Sequence, residues 1–190
     1  QYYAPVIEEI KDHVKENHVF ISIGAGVTLD YLGKAFGDKN VKLVRVMPNT
    51  PAQVGEGMSA ACPNEFVSEE ETKTTLSILS AFGKAEIIPE NLFDVVTGIS
   101  GSGPAYVFLF IEALADAAVV GGMPRRQAYE FAAQTVYGAA KMVMETGKHP
   151  GELKDMVCSP AGTTIVAVRT LEANNFRSAV IEGANAATEK

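Results

Sequence analysis

Three bends rich in small residues carry the side chains and backbone whose types could do chemistry. The first is Cys158-Ser159-Pro160-Ala161-Gly162-Thr163-Thr164, where one helical pattern ends and another begins near Thr163. Unpaired backbone N–H groups at the start of a helix attract anions. Small residues let a ligand come close to the backbone, and threonine hydroxyls add hydrogen bonds. Such a bend suits a small carboxylate, and a capped turn between helices would use the same residues. The second bend, Thr97-Gly98-Ile99-Ser100-Gly101-Ser102-Gly103-Pro104, sets three glycines and two serines ahead of the longest apolar helix. It reads as a ligand loop beside fresh helix donors or as a linker between two halves of the chain. The third, Gly24-Ala25-Gly26, follows a strand and precedes a helix. Ligands of α/β sheets bind there, at the carboxyl ends of strands, although a tight strand–helix turn needs glycine in any case. Met47-Pro48-Asn49-Thr50-Pro51 follows another strand and could border the same crevice.

Other reactive side chains point less clearly to a site. His13, His18 and His149 have no ligand or triad spacing and read as surface or capping residues. Cys62 and Cys158 fit neither a metal pattern nor a disulfide framework, so they are expected to be free thiols in a reducing, cytoplasmic setting. Nothing near Cys158 in sequence would lower its pKa, which favours packing over nucleophilic work. Glu112 and Asp116 lie one helical turn apart. A carboxylate pair can serve acid–base chemistry, but basic partners or solvent are the simpler expectation.

The elements that must hold these bends differ between the two halves. Up to about residue 90, β-rich runs alternate with helical patterns. Strands are expected at His18–Ile23 and Val41–Met47, with weaker ones at Met58–Cys62 and Ala85–Ile88. Helices are expected at Val6–Glu16, Thr28–Phe36 and Ser68–Phe82, the last opened by the capping-box pair Ser68 and Glu71. This alternation predicts a partly parallel α/β sheet. Beyond residue 90 the text is alanine-rich and helical: Leu92–Gly98, Pro104–Val120, Arg125–Glu145, Pro150–Val157, Thr163–Leu171 and Arg177–Ala187. Pro104 and Pro124 sit at helix starts, and Gly121 and Gly147 at helix ends. Ala132, Ala133, Ala139 and Ala140 would let helix backbones approach closely. Tyr106–Val120 is apolar nearly all round, which calls for partners on every side. A second copy of the chain supplies them most economically, so an intertwined helical dimer is expected.

The chain has 190 residues, enough for one or two compact domains. Its net charge of -7 argues against a nucleic-acid backbone or an anionic membrane as the main partner. Tyr106–Val120 is broken by Glu112 and Asp116 and stops at Gly121-Gly122. It therefore reads as too short and too charged to span a bilayer.

Taken together, these bends resemble the pyrroline-5-carboxylate reductase family. PGELKDMVCSPAGTTIVAVRTLE, Pro150 to Glu172, is similar to the family signature, with Ala161 standing where glycine is common. DVVTGISGSGPAY, Asp94 to Tyr106, resembles the lead into the family's dimerisation helices. VRVMPNTPAQVGEG, Val44 to Gly57, matches its mid-domain loop, and ISIGAGVTL, Ile21 to Leu29, its cofactor-side turn. The likeness covers essentially the whole chain.

The resemblance implies an α/β, partial Rossmann-type dinucleotide-binding domain over residues 1–90, followed by an all-α helical domain for dimerisation and substrate binding over 91–190. It implies NADPH or NADH as cofactor and reduction of the C=N bond of 1-pyrroline-5-carboxylate to L-proline, the last step of proline biosynthesis. Residue by residue, it implies a catalytic role for Thr164, whose hydroxyl meets the ring nitrogen. Glu90, Ser159, Gly162, Thr163 and Thr164 would bind substrate, and Ile23, Gly24 and Ala25 the nicotinamide side of the cofactor, with no metal. It further implies a homodimer, with a ring of dimers as a larger assembly, and no nucleic-acid or membrane partner. The family opens with a strand, a Gly-x-Gly-x-x-Ala loop and a helix that this chain is expected to lack. The expectation is therefore weak activity, or none, for this chain alone. The alternative function is a non-catalytic helical oligomerisation module. A related imine or 2-hydroxyacid reductase ranks behind both, because it would lack the PAGTT turn.

Overall fold

The structure, a computed structural model, describes residues 2–37 and 40–189. Its first half is built on four strands, β1 Val19–Ser22, β2 Lys42–Met47, β3 Gly57–Pro63 and β4 Gly83–Ile87, in the spatial order β1-β2-β3-β4. β1 and β2 run parallel, β2 and β3 antiparallel, and β3 and β4 parallel. The connections dictate this mixture. Parallel neighbours need a long crossover, supplied by helix α2 (Leu29–Ala35) between β1 and β2 and by helix α3 (Glu69–Ser80) between β3 and β4. β2 reaches β3 through a short 3-10 turn, Thr50–Val54, so it can only fold back antiparallel.

Alternation along β2 sends its side chains to two cores. Leu43 joins Ile7, Leu32, Phe36 and Val41 under helix α1 (Tyr3–Ile10) and α2. Val44 and Val46 join Ala61 and Leu79 under α3. Arg45 shares the face of Leu43 and is buried there. The expected strands are all present, within a residue or two of their anticipated bounds. α1 starts three residues earlier than expected, because Pro5 falls in the first turn, where its missing N–H is no loss. It also ends earlier, at Ile10, tightening into a 3-10 turn over Lys11–His13.

The helical half comprises α4 (Phe93–Val96), a π-helical turn Thr97–Gly101, α5 (Gly103–Val120), α6 (Arg125–Thr146), α7 (Pro150–Val157), α8 (Thr163–Ala173) and α9 (Phe176–Thr188). Pro124 is the N-cap of α6, and Gly147, left-handed at φ 64°, closes it. The described residues form two compact units, Gln1–Pro104 with Ala184–Lys190, and Ala105–Gly183. These units do not part at residue 90, where the texture of the sequence changes. Residues 90–104 pack with the sheet unit: Asn49 Nδ2 donates to Ser100 O at 3.0 Å. A Cβ on Gly98 would lie 2.3 Å from Thr188 Oγ1, so the π-helical turn and the end of α9 are in direct contact.

Within the helical unit, Ala115, Ala128 and Ala132 are buried together where α5 meets α6, as small residues permit. Ala133, Ala139 and Ala140 are exposed within the single chain. Within one chain α5 is largely uncovered, where the dimer expectation calls for a second copy: Phe108 is 63% and Leu109 68% exposed. The length argument against a membrane span also changes. The helical run continues upstream to Glu90, and Glu90–Val120, 31 residues, is long and apolar enough by length and composition to cross a bilayer.

The capping box at α3 forms as anticipated. Ser68 Oγ accepts from the Glu71 N–H at 3.2 Å and Glu71 Oε2 accepts from the Ser68 N–H at 2.9 Å. Glu71 Oε1 also meets Lys42 Nζ at 2.6 Å, tying α3 to β2. The Lys42 ammonium, with the Ser68 donors, holds the Glu71 carboxyl down at about 2 against an ordinary 4.5. A depressed folded-state pKa stabilises at pH above the unfolded value, and that contribution is lost as pH falls toward the folded one. Stability should therefore decline from about 4.5 down to about 2. Glu71→Gln keeps a cap for Ser68 but no charge for Lys42, so thermal melts across this window should show a shallower acid slope than the parent. Matching slopes would exclude Glu71 as their source.

Candidate functional site

In the helical unit, Ser159, Gly162, Thr163 and Thr164 come together in one bend between α7 and α8. The Gly162 N–H donates to Ser159 O at 3.0 Å, closing a turn in which Ala161 is left-handed, φ 57°. A Cβ on Gly162 would lie 2.3 Å from Ser159 Oγ and 3.1 Å from Ser159 O, so a larger residue here would push the Ser159 side chain aside. Gly162 is the N-cap of α8 and offers no side-chain acceptor to the first turn. The amides of Thr163 and Thr164 consequently meet no acceptor among the described residues. The expectation that Gly162 also lends its amide needs correction, because the turn itself occupies that donor. What remains is two backbone donors and two threonine hydroxyls at the start of an 11-residue helix, an arrangement that favours a small anion.

In the sheet unit, Ile23, Gly24 and Ala25 follow β1 at its carboxyl end, beside the end of β2. Gly24 is constrained by close approach: a Cβ there would fall 2.6 Å from the Tyr3 hydroxyl oxygen. The Ser22 hydroxyl donates to that same oxygen at 2.9 Å. Ile23 is 63% exposed, leaving an aliphatic patch at the strand end. Asn49 borders the same edge and staples three segments, since its Oδ1 accepts from the Met58 N–H at 2.8 Å while its Nδ2 reaches Ser100.

Glu90 lies in the sheet unit, and its carboxylate is already engaged. Oε1 accepts from the Leu29 N–H at 2.7 Å and from Arg45 Nη1 at 3.0 Å. The Arg45 guanidinium also stacks 4.4 Å from the centre of the Phe93 ring. Burial pushes the Cys62 thiol up, Glu90 pushes it the same way and Arg45 opposes them, so Cys62 stays protonated and unreactive. Arg45 was not among the anticipated site residues, and Asn49 was anticipated only as part of the loop after β2. An arginine inside the apolar run Val41–Met47 is a signal that a charged partner must exist, but nothing local names Glu90.

The remaining candidates resolve into structural roles. His149 caps α7, its Nδ1 accepting from the Gly151 N–H at 3.0 Å, and His18 Nδ1 accepts from the Lys15 N–H at 3.4 Å. Asp116 pairs with Arg125, which is the basic partner expected for it. Cys62 and Cys158 are free thiols.

Ala161 generates a stability prediction. Left-handed backbone costs alanine about 1–2 kcal/mol, and glycine avoids most of that at some cost in unfolded-state entropy. Ala161→Gly should stabilise the helical unit by roughly 0.5–1 kcal/mol, or about 1–4 °C in melting temperature. Calorimetry checks this, and a lower midpoint would contradict the left-handed turn.

The family described as pyrroline-5-carboxylate reductase dimerisation matches residues 90–190. A pyrroline-5-carboxylate reductase of Escherichia coli K12 is 57% identical over 185 residues, 97% of this chain and 68% of that protein. One from Methanosarcina acetivorans is 47% identical over 190 residues, all of this chain and 70% of the relative. The structure of a pyrroline-5-carboxylate reductase from Coxiella burnetii superposes with a TM-score of 0.94 at 37% identity, over 99% of this chain and 70% of that one. The Plasmodium falciparum enzyme, solved with NADP bound, gives a TM-score of 0.89 at 37% identity, over 99% of this chain and 75% of that one.

Proposed function

The chain belongs to the pyrroline-5-carboxylate reductase family, and from that membership we propose that it takes part in the NAD(P)H-dependent reduction of 1-pyrroline-5-carboxylate to L-proline. Within the chain, the observation that carries this reading is the uncapped start of α8, where Thr163 and Thr164 offer amides and hydroxyls to a small acid. Their N–H groups hold the substrate carboxylate, with Ser159 and Gly162 shaping the turn. The Thr164 hydroxyl faces the ring nitrogen and orients the imine. That nitrogen becomes basic as the C=N bond is reduced and must gain a proton. A threonine is too weak an acid to supply one alone, so Thr164 positions a water that does.

The turn after β1 fits the nicotinamide side of a dinucleotide: Ile23 offers exposed aliphatic surface, and Gly24 and Ala25 keep the backbone approachable. When bound, the reduced nicotinamide supplies the hydride. The protein's own contribution is then mostly positioning and electrostatics. Free thiols at Cys62 and Cys158 support a reducing, cytoplasmic setting.

The helical unit supports a homodimer. Ala105, Phe108, Leu109, Ile111, Glu112 and Tyr129 line an open depression of about 570 Å³. An apolar surface of that kind needs cover, and the matched family is one of dimerisation domains. A second copy of this chain provides the cover, and rings of dimers are the larger assembly we infer. Leu109→Asp would place a charge in the buried contact while disturbing the single chain little, since Leu109 is 68% exposed there. Light scattering should then report the monomer mass; an unchanged mass would move the interface elsewhere.

Activity is tested by following reduced nicotinamide consumption and proline formation with the protein expressed from its complete reading frame. Thr164→Ala should lower kcat/KM for the imine about 10- to 100-fold, the loss expected for one hydrogen bond to a charged group, without changing the melting temperature. Thr164→Ser should restore most of it. Absence of proline from the parent protein would end this reading.

A further inference from the structure

The turn Ile23–Thr28 is gripped at both ends. At its start, Ser22 Oγ donates to Tyr3 Oη at 2.9 Å, and the Tyr3 ring closes on Gly24. At its end, the Leu29 N–H is held at 2.7 Å by Glu90 Oε1. The two grips are linked, because Glu90 pairs with Arg45 at 3.0 Å and Arg45 is the register partner of Ser22 across the β1–β2 ladder. Arg45 itself cannot drift: its side chain is 7% exposed, and its guanidinium lies over the ring of Phe93, which is 2% exposed. A buried charge is tolerable only with its partner in place, so the position of Glu90 is set by β2 and not by any ligand.

We propose that Glu90 is a positioning residue, not a substrate ligand: with Arg45 it clamps the Leu29 amide and so fixes the β1–α2 turn that receives the nicotinamide side of the cofactor. This rests on the reading above, in which Ile23, Gly24 and Ala25 meet the cofactor. Both recorded bonds fall on one carboxylate oxygen, and both partners are protein groups. The substrate is itself a carboxylate, which a negative side chain would repel, whereas an acceptor for the Leu29 N–H and a counter-ion for Arg45 are what this position demands. Loss of the clamp frees the turn and leaves the bend at Ser159–Thr164 untouched.

The two roles separate in steady-state kinetics of the protein expressed from its complete reading frame. Glu90→Ala removes both bonds and should raise KM for the reduced nicotinamide nucleotide about tenfold. KM for the imine should move less than about twofold. Glu90→Gln keeps an oxygen for the Leu29 N–H but loses the charge facing Arg45, so it should rescue most of the cofactor KM. If Glu90→Ala fails to fold because Arg45 is left unpaired, the same comparison is made with Glu90→Gln, whose partial rise must fall on the cofactor KM alone. A rise in imine KM equal to or larger than that for the nucleotide, or no change in either, overturns the proposal. Turnover by the parent protein keeps this outcome distinct from failure of the reductase reading, which would abolish activity in every variant.

Discussion

A guanidinium buried in the middle of a strand imposes a demand that much of the sheet unit meets. Arg45 lies among Leu43, Val44 and Val46, all nearly inaccessible to solvent, and a cation there is costly unless paired and hydrogen-bonded. Glu90 meets the charge and Phe93 the flat face of the group. Residues 90–93 are thereby drawn onto the same face as α1 and α2. The chain that follows, through the π-helical turn at Thr97–Gly101, is then stapled by Asn49. For this reason residues up to Pro104 belong with the sheet, although their composition resembles the helices beyond.

The bend before α8 works by a different economy. Its donors are backbone amides, so the side chains needed are mainly those that stay out of the way. Gly162 avoids Ser159, and Ala161 accepts a left-handed backbone that a larger or branched residue would resist. An N-cap without a side-chain acceptor leaves the first turn of α8 unsatisfied by the protein. Free amides at a helix start attract anions, which connects the local backbone to the chemistry of a small acid.

The helical unit leaves its most apolar helix largely uncovered. Alanines allow α5 and α6 to meet closely at Ala115, Ala128 and Ala132, yet most of the Phe108 and Leu109 side-chain surface stays exposed. The stretch from Glu90 to Val120 matches a membrane span in length and composition. It also begins where the matched dimerisation family begins, so its apolar surface has an explanation in association between chains.

What could be read along the sequence was whatever depends on near neighbours. β-rich runs located β1 to β4, the Ser68–Glu71 pair located the start of α3, and the helical stretch expected at Pro150–Val157 matches α7 to the residue. Motif likeness located the bend at Ser159–Thr164, whose geometry is a property of a few consecutive residues. Tertiary structure alone decided what Glu90 touches, because its partners Leu29 and Arg45 stand 61 and 45 residues away. It decided likewise that Asn49 holds Ser100, and that a helix apolar on all sides is exposed within one chain. Propensity and capping act over a few bonds, whereas a buried charge finds its partner only after the strands have chosen their neighbours.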